Sequence, residues 1–139
     1  MLRSVLMLAA LSAFLLLTAC AGSLGISQEE AGSTPTTYAT VVNPPDPALM
    51  GHWRRPNPSG LSKPWLFHYW LVKHGDKYAV YYHYDSRKKN SFRGWASFTI
   101  DGKTMTSGVD AVTFTAESGG VIMRYPGRGE SYRMEKVED

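Results

Sequence analysis

A single cysteine, Cys20, stands in 139 residues, so no disulfide within the chain can staple the fold. Long apolar runs are missing too. The longest covers 5–17, well short of the roughly 20 residues a transmembrane helix needs. No segment carries an apolar stripe at helical spacing. Enzyme signatures are absent as well: there is no glycine-rich phosphate loop opening a helix and no G-x-S-x-G elbow. Asp and Glu total 12, and none sits in an evident apolar pocket that would raise its pKa. These absences point away from catalysis and imply no cofactor. Strong charge bias is lacking too. Residues 49–139 hold 14 Lys/Arg against 9 Asp/Glu, a net of +5, and Glu29, Glu30 and Asp46 before them subtract 3. That balance is too mild for a nucleic-acid partner.

What is present begins at the N-terminus. Arg3 gives a positive start, the apolar run follows, and it ends in Leu17-Thr18-Ala19-Cys20. The layout is that of a secretory signal. Its end resembles the lipobox of bacterial lipoproteins. The resemblance implies a signal peptide over 1–19, cleavage before Cys20, and acylation of that cysteine as a membrane anchor. It also leaves no free thiol. By the same resemblance, Ala21 after the cysteine implies the outer membrane, with the domain on its periplasmic or surface face.

Residues 20–48 are rich in Gly, Ser, Thr, Pro and Ala and show no periodicity, so they read as a flexible tether, extended near Pro44, Pro45 and Pro47. The alternative is that 38–42 add a strand to the domain.

From 49 to 139 the pattern changes. Turn signals recur between β-branched and aromatic segments of period two, such as Ala96-Ser97-Phe98-Thr99-Ile100 and Val112 to Ala116. This predicts an all-β antiparallel meander of about seven or eight strands, closed as a small barrel or curled as a half-barrel. Its opening, Gly51-His52-Trp53, resembles the G-x-W start of lipocalins and their small bacterial relatives. The resemblance implies a structural pair in which Arg133, from the last strand, stacks on Trp53.

The 65–85 stretch, WLFHYWLVKHGDKYAVYYHYD, reads as a hairpin turning on Gly75-Asp76. A turn there pairs residues whose numbers sum to 151. One face then carries Trp65, Phe67, Tyr69 and Leu71 against Tyr78, Val80, Tyr82 and Tyr84, uncharged and suited to a core. The other sets His68 opposite His83 and Trp70 opposite Tyr81, with Asp85 diagonal to His68. This mixed aromatic–polar face, His68, Trp70, Tyr81, His83 and Asp85, is the candidate partner or ligand patch. The two imidazoles and the carboxylate also have the donor types of a zinc site, if the register brings them together.

A basic loop follows: Arg87, Lys88 and Lys89, with Arg93 close by. It is either a solvated turn or a contact for anionic envelope material such as lipid phosphates. Arg124 and Arg128 lie in a second loop region with no visible link to the first. The expectation is a non-catalytic, lipid-anchored envelope protein whose β-domain binds a protein or envelope polymer. The alternatives are a lipocalin-like carrier or sensor of a small apolar ligand, or an inhibitor of a secreted enzyme.

Overall fold

The computed structural model describes residues 25–56, 66–85 and 91–138. Cys20, Trp65, Arg87, Lys88 and Lys89 lie outside them.

The protein is all-β. In chain order the described elements are helix α1 (Gln28–Ala31), β1 (Thr40–Asn43), a 3-10 turn (Pro47–Leu49), β2 (Gly51–Arg54), β3 (Leu66–His74), β4 (Lys77–Asp85) and β5 (Ser91–Ala96). There follow β6 (Phe98–Asp101), β7 (Thr104–Ser107), β8 (Thr113–Glu117), β9 (Gly120–Arg124), β10 (Ser131–Arg133) and β11 (Glu135–Lys136). They form two sheets, a six-stranded one ordered β1-β6-β7-β8-β9-β10 and a five-stranded one ordered β11-β2-β3-β4-β5.

Two bent strands join the sheets. The chain leaves β5 and enters β6 across Ser97 alone, and leaves β10 for β11 across Met134 alone. Counted with those bends, β2 to β11 is an up-and-down meander of eight segments whose last returns to pair with its first. The expected seven or eight strands thus appear as bent segments split between two sheets.

Period two decides the interior. Phe67, Tyr69, Leu71, Val80 and Tyr82 point inward from one sheet, and Phe98, Ile100, Met105, Phe114, Val121 and Met123 from the other. Tyr69 and Tyr82 are wholly buried. Their rings meet Phe114 edge-on at 4.9 and 6.0 Å, and Tyr82 meets Phe98 at 5.3 Å, the geometry aromatic quadrupoles favour. Both hydroxyls are satisfied: Tyr69 donates to the Leu49 carbonyl at 3.0 Å and Tyr82 to Asp110 at 2.9 Å. Aromatic rings therefore fill the middle of the molecule.

The two ends differ. At one, strands turn back through the two-residue connections 75–76, 102–103 and 118–119, and the 3-10 turn packs on β8 and β9 with Leu49 fully buried. At the other, the connections β2–β3, β4–β5, β7–β8 and β9–β10 are all longer. We term these the turn end and the loop end.

The tether expectation is corrected from residue 25 onward. Residues 25–48 lie on the domain: Ile26, Ala31 and Pro35 are buried, the Ala39 amide donates to Tyr78, and β1 pairs in parallel with β6. The strand over 38–42 appears one or two residues later. Low periodicity misleads because this stretch borrows its partners from the domain.

Candidate functional site

The β3–β4 register is the one that the sequence predicts: His68 opposite His83, Trp70 opposite Tyr81, Leu66 opposite Asp85. Gly75 supplies the positive φ, +65°, that the first position of a type II′ turn requires. Continuing the pairing across β2 and β5 extends the outer face into two rows. One reads Arg54, His68, His83, Arg93; the other reads His52, Trp70, Tyr81, Trp95. Asp85 lies in the next row toward the loop end, opposite Leu66 and Ser91, and is exposed.

Ring contacts run through both rows. His52 stacks on Trp70 at 4.8 Å and 10°, and His68 lies against His83 at 6.2 Å and 22°. His52 Nε2 and His68 Nδ1 approach to 3.3 Å, a hydrogen bond that needs one of the two nitrogens unprotonated. Tyr81 meets Trp95 edge-on at 5.2 Å. Stacked imidazoles send their nitrogens along similar directions instead of converging on a point. Among the described residues, no three His, Cys, Asp or Glu side chains are placed to hold a metal ion.

The patch is not open. Residues 25–33 of the same chain lie over it. Gly25 sits so close to His68 that a Cβ there would fall 2.5 Å from the ring Cε1. The short helix α1 starts with a capping box: the Glu30 amide donates to Ser27 Oγ, and the Ser27 amide donates to the Glu30 carboxylate. Glu30 then reaches the face. Arg93 donates to it through Nε and Nη2, both at 2.5 Å, and Tyr81 donates at 3.2 Å. Arg93 Nη2 also donates to the Gly25 carbonyl, and Trp95 Nε1 to Ser33 Oγ. His68 and His52 are consequently buried, and Trp70, Tyr81 and His83 half-buried.

This arrangement sets the charges. The Arg93 guanidinium, helped by Ser27, holds the Glu30 carboxyl down to about 2 against the opposing effect of burial. Burial, then Arg93, lowers the His83 imidazole, so its neutral form is favoured. His83 Nδ1 is buried with no hydrogen-bond partner among the described residues.

The structure therefore brings together His68, Trp70, Tyr81 and His83, with Asp85 at their margin, and assigns Arg93 to Glu30, not to the basic loop. The Trp53–Arg133 pair is corrected. Lys136, which pairs with Trp53 across β11–β2, holds its ammonium 5.3 Å from the Trp53 ring, while the Arg133 guanidinium lies against Gly120 in β9. Arg133 belongs to β10, in the other sheet, before the bend at Met134 that returns the chain to β2. Sequence reasoning missed His52, Trp95 and the covering residues Ser27, Glu30 and Ser33. Ser27-Gln28-Glu29-Glu30 is an S-x-x-E capping box, and that signal was there to be read.

No family model, curated protein or solved structure matches this chain.

Proposed function

We propose that the chain is a lipid-anchored cell-envelope accessory protein, non-catalytic, whose β-domain binds a protein or envelope polymer through its surface. The observation that carries the surface reading is the filled interior: Tyr69, Tyr82, Phe98 and Phe114 occupy the volume where a carrier keeps its ligand. The anchor reading is supported by Leu17-Thr18-Ala19-Cys20 at the end of the apolar run and implies an outer-membrane location. The eight-segment meander fits the lipocalin-like resemblance as architecture without requiring its cargo. The face proposed for the partner is that of His68, Trp70, Tyr81, His83 and Asp85, with residues 25–33 of the same chain forming part of the surface presented there.

Detergent phase separation of the native chain tests the anchor: Cys20→Ser moves the protein from the detergent to the aqueous phase. Unchanged partitioning ends the lipoprotein reading.

A further inference from the structure

The N-terminal segment is laid over a titratable group. In the row Arg54, His68, His83, Arg93, the two neighbours of His83 are residues to which the segment is fastened. Gly25 packs on the His68 ring on one side. On the other, the Gly25 carbonyl and the Glu30 carboxylate accept from Arg93. The backbone at Gly25 therefore bridges His83. Beneath it, His83 Nδ1 is buried with no hydrogen-bond partner among the described residues. Such a nitrogen tolerates the neutral ring far better than the imidazolium, in which both nitrogens are donors and the charge has lost its water.

The charges around the ring act in the same sense. Facing His83 are His68 from β3, Arg93 from β5, Glu30 from α1, and Asp85 on its own strand. Glu30 is already shared among Arg93, Tyr81 and the Ser27 amide. Asp85 is exposed, where water and salt screen it. The Arg93 guanidinium, opposite His83 in the register, opposes a second positive charge beside it.

The segment is also held less firmly than the strands under it. α1 is a single turn of four residues, too short to persist alone. Its described side-chain hydrogen bonds to β4 and β5 run through Glu30 and Ser33. By contrast, β3 and β4 are paired over nine residues each. Local opening follows the weaker set of contacts.

We infer that residues 25–33 form an acid-released cover: protonation of His83 lifts the segment from the sheet while the β-domain stays folded, uncovering the rings of Trp70, Tyr81 and Trp95. Opening admits water to the imidazole and returns it toward its ordinary value of 6.5, so proton uptake favours the open form. One group coupled in this way raises the open population by at most about tenfold per pH unit below that value. The uncovered face is aromatic, the composition enriched at interfaces. That a partner then uses it rests on the surface-binding reading; the opening itself rests on His83.

Amide exchange of the full chain at pH 7.5 and 5.5, corrected for the intrinsic chemistry of exchange, is the test. Exchange across 26–33 is expected to be about fivefold faster at the lower pH, with β3 and β4 unchanged. In His83→Gln the two rates should agree. Equal protection of 26–33 at both pH values overturns the inference, and so does a pH effect that survives His83→Gln. Loss of protection across β3 and β4 together with 26–33 overturns the local opening. Should His83→Gln fail to fold, titration of the His83 ring by NMR in Gly25→Ala serves instead. Unseating the segment without touching a charge should raise the His83 pKa toward 6.5, and an unmoved titration overturns the coupling. No partner enters either measurement, so the opening and the surface-binding reading fail separately.

Discussion

Glu30 and Arg93, 63 residues apart in sequence, are joined by two N–H···O contacts of 2.5 Å that fasten the N-terminal segment to the outer face of β5. A bidentate guanidinium–carboxylate pair fixes direction as well as distance. Glu30 is also the acceptor for Tyr81 and for the capping amide of Ser27, so one carboxylate both starts the helix and seats it.

Glu30→Gln keeps the shape and removes the charge. Hydrogen bonds to a charged group contribute about 1.5–3 kcal/mol when buried, and exposed pairs contribute far less. With the two side chains 25% and 37% exposed, a loss of about 1–2 kcal/mol is expected. Amide exchange should accelerate across 26–33 while β3 and β4 stay protected. Unchanged exchange there means the pair does not hold the segment.

Gly25→Ala tests the other end of the same cover. The new methyl would meet the His68 ring at 2.5 Å, and that ring is confined between His52 and His83. Overpacking of this kind typically costs about 1–3 kcal/mol. The expected outcome is an unseated segment with a native sheet, read as faster proteolysis before residue 34 at little change in circular dichroism. A full-length, protease-resistant variant would show that the imidazole yields.

How much of this was legible in the sequence depends on where each residue's partner lies. Alternation from Phe67 to Leu71 and from Val80 to Tyr84 shows the core face because its period is local, and Gly75-Asp76 sets the register because a two-residue turn leaves no slack. The cover was not legible. Residues 25–33 have too little apolar content to order themselves, and the side chains that hold them, Tyr81, Arg93 and Trp95, lie 51 to 68 residues further along the chain. The Trp53 cation was half-legible: the last strand does supply it, but the bend at Met134 places Lys136 beside β2 and carries Arg133 to the other sheet.

Acid should loosen the cover in two steps. His83 has its pKa lowered from 6.5 by burial and Arg93, so the folded state prefers it neutral. Its contribution is complete above about 6.5 and is lost as the pH falls below that value. Glu30 is lowered from 4.5 to about 2, so its contribution is complete above 4.5 and is lost as the pH falls toward 2. Denaturation midpoints from pH 8 to 3 should therefore decline first below 6.5 and again below 4.5. His83→Gln should remove the upper step and leave the lower; persistence of the upper step would assign it to another group.

The surface-binding reading requires that the interior has no room for cargo, and Phe114 is the residue to ask. Its ring is fully buried and touches Tyr69, Tyr82 and Phe98. Removing it leaves a cavity lined by aromatic edges that the surrounding sheets can close only in part. Phe114→Ala should cost about 3–5 kcal/mol. Because an engineered apolar cavity of this kind stays dry and takes small apolar molecules, the variant should bind benzene and regain part of the lost stability when saturated with it. The unmodified chain should show neither effect. Benzene-dependent stabilisation of the unmodified chain would mean that the rings part for a ligand, and would move the function toward a small-molecule carrier.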